Sequence, residues 1–224
     1  MRKLTPLYVT VLAMFTVLVG TAPVSAGEFV GGINLGAEAG FGGHVHGTFR
    51  NFTQDLPLSA RFTAGYHKAS AGDPFAARRV FINNNTNGTP EDSAKYLQAR
   101  FDLVFPVFKV GPQQIFLFGG PRVAKYSAEF VYVGGNEDFE VKTSPWGIGM
   151  GLETAFAVND RTDFLIQVGL DHFSKSDLEG HDTIYTADGD YINPREDYTW
   201  DSANDAVDQP ETEVLVMVGM QIKL

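Results

Sequence analysis

The stretch "DHFSKSDLEG", residues 171–180, places a histidine and a serine two positions apart. In an extended chain His172 and Ser174 share a face, so the imidazole could act as base to the hydroxyl as nucleophile, the pairing that acyl hydrolysis needs. Further on, Asp188, Asp190 and Asn193 offer hard oxygen ligands suited to a divalent cation. They lack the spacing of a calcium loop, and they lie in a stretch, 174–213, that holds twelve acids against Lys175 and Arg195. Such a stretch reads as a solvated loop, with no metal. His44, His46 and His67 have no metal-ligand spacing, and no glycine-rich segment carries the Lys-Ser/Thr of a phosphate loop, so no cofactor is expected.

The elements that would carry these residues begin after a processing segment. Arg2 and Lys3 precede an apolar run, Leu7 to Val19, and small residues Val24, Ser25 and Ala26 close it. Residues 1–26 therefore read as a cleaved secretory signal peptide, and 27–224 as one domain. Removing that segment takes away two basic residues and no acid, leaving 15 basic against 27 acidic. So acidic a chain is a poor ligand for nucleic acid. It also has no cysteine although export would permit disulfides, so a large core or a bilayer must hold the fold.

Period-two alternation recurs along the domain. Ile33, Leu35, Ala37, Ala39 and Phe41 oppose Asn34, Gly36, Glu38 and Gly40. Gly42-Gly43-His44 reads as a hairpin loop, followed by a strand over about 45–52. Further strands are expected at 58–67, 96–105, about 114–131, about 141–156, from Phe164 to His172, and from Val214 to Leu224. Pro121, with no N–H to donate, is expected to mark a bulge in the fifth. The turns after strands two, four and six are short, and the loops after three and seven are long. That asymmetry predicts an all-β, eight-stranded antiparallel up-and-down transmembrane barrel. Each run is about ten residues, the length a tilted strand needs to cross a bilayer.

In such a barrel the apolar face meets lipid and the other face fills a narrow interior. Eight charged residues are then lumen candidates: Arg50, Arg61, Arg100 and Lys223 with Glu38, Asp102, Glu153 and Asp171. Equal numbers of each sign predict an ion-paired plug, since an unpaired charge in a low-dielectric interior is costly. Tyr66, Tyr96, Tyr126, Phe105, Phe130, Trp146 and Phe164 lie near strand ends, where aromatic girdles sit.

The leader, the eight alternating strands and the apolar end "VLVMVGMQIKL" together resemble the small outer-membrane barrels of the OmpA/OmpX and opacity-protein type. Those usually end in an aromatic residue, where this chain has Leu224. The resemblance implies a monomeric, non-enzymatic protein of a Gram-negative outer membrane, in contact with membrane lipid and lipopolysaccharide. Its external loops would serve adhesion, envelope integrity or ligand contact. It also implies that Val218, Met220, Ile222 and Leu224 form the signal read by the barrel assembly machinery. A second resemblance, of His172-x-Ser174 to the His-x-Ser element of outer-membrane lipid A deacylases, implies an acyl hydrolase instead. That family's Asn after the serine is Lys175 here, and Thr186 stands where an acidic partner is expected. A small transport pore is the third alternative.

Overall fold

The computed structural model describes residues 27–51, 57–82, 87–135 and 137–224. Residues 1–26, expected to be a signal peptide, and part of the turn after the second strand therefore lie outside the described residues. Eight antiparallel strands close on themselves: β1 (Glu28–Ala37), β2 (Phe41–Arg50), β3 (Ser59–Ala69), β4 (Thr89–Val110), β5 (Gln113–Val133), β7 (Trp146–Ala157), β8 (Thr162–Phe173) and β12 (Thr212–Lys223). Each pairs with its neighbour along the chain, and β1 closes the ring on β12, with Ile33 opposite Met220 and Ala37 opposite Val216. No sheet edge within the ring is left unpaired, which is what strands require where water cannot satisfy their amides.

Side-chain parity runs opposite to that of a water-soluble barrel. Ile33, Leu35, Val45, Phe62, Leu97, Val123, Met150, Val168 and Val216 are exposed on the outside, while Asn34, His46, Arg61, Arg100, Glu153 and Gln167 are buried within. The sequence alternation has the same phase.

Three local expectations are corrected. The first hairpin turns at Glu38-Ala39-Gly40 rather than at residues 42–44. The Glu38 amide donates to the Gly40 carbonyl (2.8 Å), and Ala39 and Gly40 take positive φ. Gly42 and Gly43 instead lie in β2, where a Cβ on Gly42 would come 2.1 Å from the Tyr66 carbonyl oxygen. No bulge occurs at Pro121: it faces outward in β5, and the pairs on either side of it keep one register. The register shift falls in β4, between Pro106 and Phe108. Finally, the sixth strand is interrupted at Ser144-Pro145. The segment before it, β6 (Phe139–Thr143), pairs with Tyr126–Phe130 of β5, and β7 pairs further along the same strand.

β4 and β5, at 22 and 21 residues, are about twice the length a bilayer requires. Their excess projects beyond the ring and nucleates a lobe. β6 and three short strands, β9 (Leu178–Gly180), β10 (Thr183–Tyr185) and β11 (Tyr191–Ile192), extend the sheet from the edge of β5. Helices α1 (Pro74–Phe81) and α2 (Trp200–Ala206) complete the lobe. Asp73 caps α1 by accepting from the amides of Phe75 and Ala76, with Pro74 at its first turn. Phe81, Tyr126, Phe130, Phe139, Val141, Leu178, Tyr185 and Trp200 form its core. The segment 174–213 is therefore not simply a solvated loop: its acids surround buried anchors.

Candidate functional site

Inward positions of all eight ring strands contribute to a polar interior. The clearest unit is Arg61 of β3 with Glu153 of β7, a two-armed pair across the barrel in which Arg61 Nη2 donates to Glu153 Oε1 at 2.6 Å and Nη1 donates to Oε2. Gln167 donates to the same carboxylate (2.8 Å), and the Arg61 Nε donates to the Thr48 hydroxyl (3.0 Å). Planar guanidinium and carboxylate groups meeting in this way give a strong, directional contact. Asn34 donates to Gln167 (2.9 Å) and borders His46, extending the network across β1, β2 and β8.

Toward the lobe lies a second unit centred on Arg122, which is 1% exposed. Its Nε donates to Asp171 (3.0 Å), and its Nη1 pairs with Asp102 (2.8 Å) and donates to the Gly120 and Pro121 carbonyls. Arg100 also reaches Asp171 (3.3 Å) and lies 3.5 Å from Glu38. Gly149 makes room for this unit, because a Cβ there would stand 1.7 Å from Asp171 Oδ1. The two units adjoin where Arg61 stands opposite Asp102 on neighbouring strands, and Val104, Phe118, Leu215 and Met217 form an apolar cluster in the same interior.

Of the eight charged residues expected inside, Glu38, Arg61, Arg100, Asp102, Glu153 and Asp171 are buried there. Arg50 is half-buried at the end where β1 begins and β12 finishes, and it pairs there with Glu28 (3.2 Å) and Asp163 (3.5 Å). Lys223 lies at the same rim and reaches the Asp160 carbonyl (3.4 Å) in place of a lumen carboxylate. Sequence reasoning misses Arg122, although its signal is legible: Val123 among the outward apolar residues sets its neighbour inward. Tyr96, Tyr126 and Phe130, expected in girdles, also point inward, since even-numbered positions of β4 and β5 face the interior there. Tyr66, Phe105, Trp146 and Phe164 do face outward. So do Val218, Met220, Ile222 and Leu224 of the last strand.

Three further groups meet at the lobe end of the lumen. His44 Nε2 lies 3.2 Å from Glu38 Oε2 and 3.0 Å from His67 Nε2, and the latter two atoms are 3.9 Å apart. All three residues are buried, and among the described residues they form the one cluster of metal-ligating side chains. Sequence spacing could not reveal it, because β1–β2 and β2–β3 register brings the three together.

His172 and Ser174 are not joined to each other. The Ser174 hydroxyl donates to the Trp146 carbonyl (2.9 Å), and His172 Nδ1 meets the Thr212 hydroxyl (2.9 Å). In the lobe, Asn193 donates to Asp182 (2.7 Å), and Thr186 donates to Asp188 (2.7 Å) and to the Asp190 carbonyl. Asp182 gathers that corner: the hydrogen bond from His181, helped by Arg195, holds its carboxyl below the ordinary range. Burial pushes the Tyr185 hydroxyl up, and it donates to the Val80 carbonyl at 2.8 Å.

No protein-family model and no curated protein matches the sequence. Among solved structures, a major outer membrane protein from Thermus thermophilus is similar, with TM-score 0.72 and 17% identity over 89% of this chain and 100% of that one. At that identity the likeness is one of fold. Neisserial surface protein A aligns more loosely, with TM-score 0.39 and 11% identity over 89% of this chain and 98% of that one.

Proposed function

We propose that the chain is a monomeric integral barrel of a Gram-negative outer membrane, exported by residues 1–26 and closed to solutes. In this reading it is non-enzymatic, and its lobe is the functional surface for adhesion, envelope integrity or ligand contact. The observation that carries the reading is the inversion of the ring, apolar outside and ion-paired inside. An aqueous surface bearing Trp146 at 64% and Ile148 at 62% exposure beside apolar neighbours on every ring strand is unfavourable, whereas hydrocarbon suits it. The outer face would then contact membrane lipid and lipopolysaccharide. The outward side chains of Val218, Met220, Ile222 and Leu224 suit recognition by the assembly machinery.

Fractionated envelopes should carry the protein in the outer membrane, and the folded barrel should migrate faster on unheated gels than after boiling. In planar bilayers the folded protein should give no steady openings, and steady conductance would overturn the closed lumen. Incubation with lipopolysaccharide should release no fatty acid. Release that disappears in Ser174→Ala would overturn the non-enzymatic assignment.

A further inference from the structure

We propose that Glu38, His44 and His67 form a binding site for one divalent late transition metal ion, of the zinc or copper type, sealed in the lobe end of the lumen. The geometry is specific. Two imidazole nitrogens and one carboxylate oxygen stand 3.0, 3.2 and 3.9 Å apart. A point equidistant from the three lies about 2.0 Å from each, the length of a bond from zinc to histidine nitrogen or carboxylate oxygen. The His67–Glu38 pair spans a wide angle at that point, which suits the tetragonal coordination of copper(II) directly and asks the two groups to draw together for tetrahedral zinc. Two nitrogens and one oxygen also match the preference of zinc and copper over calcium, which takes six to eight oxygens.

The surroundings are arranged as such a site requires. His67 Nδ1 faces the Gly40 carbonyl at 3.5 Å, which favours the proton on that nitrogen and leaves Nε2 as the lone-pair atom turned toward His44. The two rings meet edge to face with centroids 5.1 Å apart, so they converge through their Nε2 atoms. Gln98 Nε2 lies 3.4 Å from His44 Nε2 while its own carbonyl oxygen is buried without a hydrogen-bond partner. Turning that amide over, which exchanges its oxygen and nitrogen, brings the oxygen toward the cluster as the fourth ligand. Gly65 leaves the room, since a Cβ there would stand 2.6 Å from the His44 ring.

Charge points the same way. The lobe-end unit sets Arg100 and Arg122 against three buried carboxylates, Glu38, Asp102 and Asp171. With neutral histidines one negative charge is uncompensated in a low-dielectric interior, which favours a bound cation. A proton could supply the same charge, and retention of metal by the folded barrel distinguishes the two. Because the cluster is at most 3% exposed, the ion would be taken up as the barrel folds and would then exchange slowly.

The test is to unfold the untagged protein in urea with a chelator, refold it into detergent with Zn²⁺, Cu²⁺ or Ca²⁺, and measure metal after gel filtration. Gel migration before and after boiling identifies the folded fraction. About one Zn²⁺ or Cu²⁺ per folded barrel is expected, with no retained Ca²⁺. His44→Gln and His67→Gln should each lower retention at least about tenfold, and His46→Gln, in the neighbouring lumen layer, should retain the ion. A folded wild type that holds no Zn²⁺ or Cu²⁺, cluster variants that keep it, or equal loss in His46→Gln would each overturn the site. X-ray absorption of the loaded wild type gives a reading that needs no variant. Scattering from imidazole is expected, and an oxygen-only shell would also overturn the site.

Discussion

Arg122 illustrates how much of the lumen depends on single side chains. It is fully enclosed, touches two carboxylates and two carbonyls, and sits where Gly149 has no side chain. Gly149→Ala drives a methyl group into Asp171 and, at 2.7 Å, into the guanidinium. Displacing a buried pair in this way should cost about 3–5 kcal/mol, read as a shift in urea unfolding of the vesicle-folded barrel. The Arg61–Glu153 pair allows a cleaner comparison. Arg61→Met strands a buried carboxylate and should cost about 3–5 kcal/mol, whereas Arg61→Met combined with Glu153→Met should recover most of that loss. If the double variant is as unstable as the single, the cost lies in packing rather than in an orphaned charge.

Among elements, the lobe is where local pattern and final structure diverge most. Acidic composition hides the anchors in 174–213, yet Leu178, Tyr185 and Trp200 are buried against α1 and the projecting ends of β4 and β5. The Trp200 ring nitrogen also donates to the Ser176 carbonyl at 2.8 Å. Trp200→Ala should therefore loosen α2 and β9, at a cost of about 3–5 kcal/mol to the lobe. Limited proteolysis should then cut within 174–213 while the ring keeps its fast gel migration. Asp182 adds a pH dependence at the same corner. Its carboxyl is depressed in the folded lobe by His181 and Arg195, so its contribution is complete above the ordinary aspartate value of 3.8 and is lost as pH falls through the lower folded value. Protease resistance of the lobe should fall over that acidic window in the wild type and stay flatter in Asp182→Asn.

At the scale of the whole molecule, closure is the decisive event. β12 pairs with β1 on one side and β8 on the other, so removing residues 214–224 leaves two open edges. Such a truncation should yield no heat-modifiable species. Leu224 itself is 79% exposed, and its amide donates to the Phe29 carbonyl (2.9 Å), so its side chain contributes to the outer face more than to packing. Leu224→Phe should accordingly leave the unfolding midpoint nearly unchanged.

The sequence by itself determined the ring. Alternation is a local property, because successive Cβ atoms in a strand point to opposite faces whatever lies beyond them. The outward residues Ile33, Phe62, Met150 and Val216, and the inward Arg61, Arg100 and Glu153, could therefore be assigned before any partner was known. Tertiary structure decided what lay across gaps in sequence. Pro121 masked the parity of β5 and with it Arg122, and the folded lobe depends on contacts between segments about a hundred residues apart, such as Tyr185 with Val80. The meeting of Glu38, His44 and His67 depends on register and on a turn placed at residues 38–40. Strand pattern sets which face a residue occupies, but only closure sets which side chain it meets there.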